Sequence, residues 1–151
     1  MIYLIIVFVG LILDRFTKAY AIKNFIERPY KGTIFNFTYL ENRGAAFGIL
    51  QDSRIFFIIL TIAIVGFLLF YFLKNYKNNP TFLNVALSFI ISGALGNFYD
   101  RLFNGYVVDF IEFAFVRFPV FNVADIFVTV GSAFLIIYLI FFEESSKVKW
   151  L

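Results

Sequence analysis

A catalyst in this sequence must be built from Asp and Glu, from a Ser-Lys pair, or from a hard metal held by oxygen, because there is no Cys and no His. That absence excludes thiol nucleophiles, disulfides, Ser-His-Asp triads and the common zinc sites. Ten carboxylates, thirteen Lys or Arg and six Ser remain. Two of the carboxylates stand out by their neighbours. Asp109 lies between Tyr106-Val107-Val108 and Phe110-Ile111, after a turn at Gly105, and a merely solvated Asp needs no such apolar flanks. Asp125 lies in Phe121-Asn122-Val123-Ala124-Asp125-Ile126. Pro119 and Asn122 read as a helix start, which would put Asp125 at the third helical position, on the positive end of the helix dipole. Capping and catalysis are compatible uses of that carboxylate. Two carboxylates from separate segments in one pocket suit acid-base hydrolysis of an amide. One takes a proton from water while the other, kept protonated, polarises the carbonyl. Spacing alone does not single out this pair, because Asp14 and Asp100 reach the same region of the molecule.

The elements that must position these groups are membrane helices. The chain is 62% hydrophobic, 23% aromatic and 15% charged, with a mean hydropathy of +0.86, far from the roughly 25% charged residues of a soluble domain. Four stretches carry no charge: Met1 to Leu13, Ile55 to Leu73, Asn78 to Tyr99 and Ile126 to Phe142. Against the roughly 20 residues that span a bilayer, these predict four transmembrane helices over about 1–22, 55–73, 80–101 and 120–142. The first run is short enough for a secretory signal, but no basic segment precedes it and no small-x-small site follows it, so it is expected to be retained. The net charge of +3 suits anionic headgroups. No basic helix or nucleic-acid motif is present.

Between the first two helices, about 28–53 holds an alternating stretch, Thr33 to Leu40, bounded by turn residues, which predicts strand. Four crossings put both termini and the Lys74 to Pro80 turn on one side, and the first loop and the Arg101 to Pro119 loop on the other. Every unusual polar residue then gathers at one face: Asp14, Lys18, Asn42, Asn97, Arg101, Asp109, Asn122 and Asp125. Lys74, Lys77, Lys147 and Lys149 crowd short segments of the terminal side, so the termini are expected to be cytoplasmic. Asp14, Asp52, Glu143 and Glu144 each close an apolar run, where a hydrated interfacial position is expected. Asp14 can also pair with Lys18 one helical turn on. Gly93, Asn97 and Arg101 share a helix face, adjacent Asp100 and Arg101 could neutralise each other or orient their neighbours, and Gly93, Ala94 and Gly96 suit close helix packing.

Taken in order, Asp14-x-x-x-Lys18, then Asn42-Arg43-Gly44-Ala45-Ala46-Phe47-Gly48, then Gly93-Ala94-Leu95-Gly96-Asn97-Phe98-Tyr99-Asp100-Arg101 with Gly105-Tyr106-Val107-Val108-Asp109-Phe110-Ile111, then Phe121-Asn122-Val123-Ala124-Asp125, the chain resembles lipoprotein signal peptidase, signal peptidase II. The resemblance covers nearly the whole chain. It implies a single integral membrane peptidase domain over 1–151, all-α apart from a small extracytoplasmic β-rich subdomain and a lid-like loop or helix over Val108 to Phe118. The implied activity is an intramembrane aspartyl protease of the bacterial cytoplasmic membrane. Such an enzyme removes signal peptides from prolipoproteins by cutting before a Cys that carries diacylglycerol.

Asp109 and Asp125 match the catalytic pair. Asp14, Lys18, Asn42, Gly44, Asn97, Asp100, Arg101 and Asn122 are expected to bind substrate or support that pair, with no metal and no cofactor. The implied partners are lipid-modified prolipoproteins, membrane lipids and globomycin-like cyclic peptide inhibitors. Two positions depart from the family pattern: Arg15 stands where Gln is common, and Ile126 where Ser is common.

Three other readings compete. A proton-coupled transporter or channel subunit could use the same carboxylates, but the chain is small and shows no inverted repeat. A Ser-Lys hydrolase would need a Ser near Lys18. A purely structural scaffold would need none of these groups.

Overall fold

The computed structural model describes residues 2–45 and 49–142. Ala46, Phe47 and Gly48 of the first-loop motif, together with Glu143, Glu144, Lys147 and Lys149, lie outside the described residues. Helix α1 runs Ile2–Phe25, α2 Arg54–Asn75, α3 Thr81–Phe103 and α4 Val123–Phe141; strands β1 Tyr30–Lys31, β2 Phe35–Asn42 and β3 Val107–Phe113 form one antiparallel sheet in the order β1-β2-β3.

Helix α3 is the hub, packing against α1, α2 and α4. Its sequence explains the role: small residues let neighbours approach, and nearly half of its side chains, Leu83 to Asp100, are buried. A Cβ added to Gly93 would sit 2.3 Å from the Ala124 carbonyl oxygen, so only glycine lets the start of α4 lie this close. Helix α2, in contrast, presents Ile55, Phe56, Ile59, Ile62, Phe67 and Phe70 outward, which is how a lipid-facing helix reads. Helices α2, α3 and α4 are long and apolar enough to cross a membrane. Helix α1 is equally long but carries Asp14, Arg15, Lys18 and Lys23.

The alternating stretch of the first loop forms β2 as expected, but its main partner comes from the second loop. The Leu40↔Asp109 and Asn42↔Val107 register lays β3 alongside β2. The segment expected as a lid-like loop or helix is a strand through Phe113, followed by a loop that exposes Phe115, Val116 and Phe118. Val107, Val108, Phe110, Ile111 and Phe113 are β-branched or aromatic residues that favour a pleated surface over a helix. Phe121 pairs back onto Ile111 just before α4 begins. This ties the end of the loop to the strand that carries Asp109.

Candidate active site

Asp109 sits in the middle of β3 and Asp125 in the first turn of α4. Helix α4 starts at Asn122, whose extended backbone and side-chain oxygen cap the helix: Oδ1 accepts from the Asp125 backbone N–H at 3.0 Å, and Asp125 Oδ2 accepts from the Asn122 backbone N–H at 3.1 Å. This is a reciprocal capping box, with Asp in the place usually taken by Glu. The other end of the Asn122 amide reaches the second carboxylate, its Nδ2 donating to Asp109 Oδ1 at 2.6 Å. From β2, Asn42 Nδ2 donates to Asp109 Oδ2 at 2.9 Å. From α3, Asn97 Nδ2 donates to Asp125 Oδ1 at 2.7 Å. Asn97 Oδ1 accepts from Asn122 Nδ2 at 3.1 Å and from Lys18 Nζ at 3.0 Å. An ammonium only donates, so Lys18 fixes which end of the Asn97 amide faces Asp125.

Both carboxylates open into one cavity of about 440 Å³. Asn42, Asn97 and Arg101 also line it, and the rest of its wall is largely apolar: Val107, Phe113, Phe118 to Phe121, Ile126, Thr129 and Val130. Thr129 and Val130 lie one helical turn beyond Asp125 and Ile126, a spacing legible in the sequence, although motif reading did not pick them out. Arg101 donates to the Gly44 carbonyl at 3.0 Å and lies over the Phe57 ring at 4.7 Å, so Gly44 acts through its backbone. Burial pushes the Asp109 carboxyl up to about 7, and the charge of Asp125 adds to this against the hydrogen bonds of Asn42 and Asn122. Among the described residues, no group of three or more Asp or Glu is arranged to hold a metal.

Asp14, Lys18 and Asp100 do not line the cavity. They form a buried charge cluster behind Asn97, in which Lys18 Nζ lies 3.0 Å from Asp14 Oδ1 and 2.8 Å from Asp100 Oδ2. The hydrated position expected for Asp14 does not hold, because it is 1% exposed. The end of its apolar run lies against α3 and not at a wet surface. Asp100 and Arg101 do not neutralise each other either. Consecutive helical residues point about 100° apart, so Asp100 turns to Lys18 and Arg15 while Arg101 turns to Gly44. Sequence reading noted Arg15 only as a departure from the family pattern and gave it no role, whereas it donates to Asp14 and to Asp100. Its role is not legible locally, since Asp100, the partner that ties it to α3, lies 85 residues away.

A family model described as signal peptidase (SPase) II matches residues 6–141. The lipoprotein signal peptidase of Clostridium tetani (strain Massachusetts / E88) is 46% identical over 143 residues, covering 91% of each chain. That of Clostridioides difficile (strain 630) is 41% identical over 150 residues, covering 97% of this chain and 100% of its own. Among solved structures, a bacterial membrane enzyme determined by the in meso method at 2.3 Å resolution superposes with a TM-score of 0.86 at 37% identity, covering 99% of this chain and 93% of its own. Fold, cavity and these likenesses define a largely helical membrane enzyme of the protease class. The chain belongs to the signal peptidase II family.

Proposed function

We propose that this chain removes signal peptides from diacylglyceryl-modified prolipoproteins, hydrolysing the peptide bond before the lipidated Cys with Asp109 and Asp125 as its catalytic pair. The observation that carries this reading is that Asn122 bonds to both carboxylates, and both line one largely apolar cavity. Such a wall suits an apolar signal segment and a lipid-bearing residue, and among the described residues the two carboxylates are the only acidic groups lining it.

Asp109, whose carboxyl is pushed up to about 7, is the acid that donates to the scissile carbonyl oxygen. Asp125 is the base. Its place in the first turn of α4, with Asn97 and the Asn122 backbone as donors, suits an anion. Asp125 takes a proton from the attacking water as the oxygen-carbon bond forms, and Asp109 gives its proton to the carbonyl oxygen. Collapse of the tetrahedral species breaks the carbon-nitrogen bond: the proton held by Asp125 passes to the leaving amine, and a hydroxyl proton of the gem-diol returns to Asp109 as the product carbonyl forms. Asn42 and Asn122 orient Asp109, Asn97 orients Asp125, and Arg101 lines the cavity where substrate carbonyls would lie.

The reading extends to four crossings of a bacterial cytoplasmic membrane by a single domain. Helix α1 is the fourth span because Asp14, Arg15 and Lys18 are turned onto α3 and not into lipid, while Lys23 lies in its last turn. The termini are cytoplasmic and the sheet and cavity are extracytoplasmic. Membrane lipids surround the helices, and globomycin-like cyclic peptides would compete for the cavity. Membership of a peptidase family does not favour the transporter reading. Detergent-purified protein incubated with a diacylglyceryl-modified precursor tests the proposal. The expected product begins at the lipidated Cys by mass spectrometry, and intact precursor, or cleavage elsewhere, would contradict it.

A further inference from the structure

Four charged side chains meet where α1 packs on α3: Asp14 and Asp100 against Lys18 and Arg15. The two carboxylates and the Lys18 ammonium are almost wholly buried, while the Arg15 side chain closes the cluster from outside at 31% exposure. We infer that Arg15 is a positioning residue of the peptidase reaction, holding Asp100 and Lys18 in the arrangement that sets Asp109 and Asp125. The inference rests on the proposed roles of those two residues.

Two tethers leave the cluster, and each ends at one member of the pair. Asp100 Oδ2 accepts from the Val108 backbone N–H at 3.2 Å, which pins β3 one residue before Asp109. Lys18 Nζ donates to Asn97 Oδ1, and Asn97 Nδ2 donates to Asp125 Oδ1. Arg15 controls both. Its Nη1 donates to Asp100 Oδ1 at 2.6 Å, its Nη2 donates to Asp14 and to the Gly96 carbonyl at 3.1 Å, and its guanidinium stacks on Tyr99 at 4.6 Å. With Arg15 present, two negative and two positive charges balance. Without it, Lys18 alone faces two carboxylates in a low-dielectric site, where an uncompensated charge is costly. The ammonium is then drawn away from Asn97, and Asp100 loses the donor that orients it toward Val108. The planar fork of an Arg satisfies two carboxylates at once, which a Lys can do only in part. Arg15 does not line the cavity, so any effect on turnover must pass through these tethers.

The test compares Arg15→Met and Arg15→Lys with the unaltered protein, in detergent, on the same diacylglyceryl-modified precursor. The amount of folded enzyme is taken from the monodisperse fraction on size exclusion. A displacement of about 1 Å at a reacting group can lower the rate about a hundredfold, so Arg15→Met is expected to lose about ten- to a hundredfold in kcat, with KM within about twofold. Arg15→Lys is expected to recover at least about threefold over Arg15→Met. Retained kcat in Arg15→Met, a loss that appears only in KM, or an Arg15→Lys variant no better than Arg15→Met would each overturn the inference. A merely structural prop would lower the folded fraction and leave kcat per folded molecule unchanged. Asp109→Asn, run alongside, separates the two levels: if it is inactive while Arg15→Met turns over normally, only the positioning role falls, and if it is active the proposed pair falls.

Discussion

Asn122 Nδ2 donates to Asp109 Oδ1 at 2.6 Å, and the same side chain caps the helix that begins with Val123 and carries Asp125. Helix initiation and site assembly are therefore one event. The residue that satisfies the first turn of α4 also brings the β3 carboxylate to it, so a mutation here acts on both.

Asn122→Ala is expected to destabilise the protein by about 2–4 kcal/mol. A lost N-cap contributes about 1 kcal/mol, and a lost hydrogen bond to a buried carboxylate contributes most of the rest. Turnover should fall further than stability explains. Asn122→Asp keeps the cap but loses the same hydrogen bond and sets a third carboxylate against buried Asp109, so it too should lose stability and be almost inactive. Thermal unfolding in detergent, read with turnover per folded molecule, checks both.

The Asp109 carboxyl, raised from 3.8 to about 7, gives the reaction a basic limb. The account predicts that kcat/KM falls as pH rises through about 7, because the proton donor is lost, and kcat/KM reports the free enzyme. The apparent midpoint belongs to the pair and not to one residue alone. Linkage gives a second sign. The folded state retains a proton that the unfolded chain has already released, so this group makes stability fall as pH rises from about 4 to about 7, with no further change above. Asp109→Asn should abolish that slope, and unfolding midpoints across the window would show it.

Much of the site was legible in the sequence for local reasons. Asn122 and Asp125 three residues apart carry their own capping geometry, and Asp14 and Lys18 one turn apart carry their own ion pair. The alternation of Thr33 to Leu40 announced a strand, realised as β2. What was not legible depends on distant partners. The polar residues of Val107 to Phe113, Asp109 and Glu112, do not alternate cleanly, and the segment becomes β3 because β2 offers it an open edge. Arg15 has meaning only once α3 brings Asp100 beside it. Asp100 and Arg101, neighbours in the chain, face different partners because of helical geometry.

Lys18→Met removes the ammonium shared by Asp14, Asp100 and Asn97. Removing one member of a buried ion cluster typically costs about 3–5 kcal/mol. The variant is expected to lose stability on that scale and to lose turnover even in the fraction that folds, because Asn97 then loses one of the two donors that hold its amide toward Asp125. Unfolding in detergent at 25 °C, combined with turnover, measures the two losses separately.

Gly93→Ala places a methyl group 2.3 Å from the Ala124 carbonyl oxygen and 2.8 Å from Val128 Cγ2. The start of α4 must move away from α3, taking Asp125 with it. Overpacking of this kind costs about 1–3 kcal/mol, and kcat should drop while expression in the membrane persists. Gly66→Ala, at a position with nothing within 4 Å, is the matched control and should behave as wild type.

The central claim is that Asp109 and Asp125 act together as the catalytic pair, and kcat of Asp109→Asn, Asp125→Asn and the double variant on a diacylglyceryl-modified precursor tests it most directly. The account predicts that each single variant folds normally, since Asn matches Asp in size. Each should lose at least about a thousandfold in kcat, with the double variant no worse than the worse single, because groups that act as a unit are not additive. Robust peptide release by the double variant, or loss of folded protein from the membrane in both singles, would contradict it.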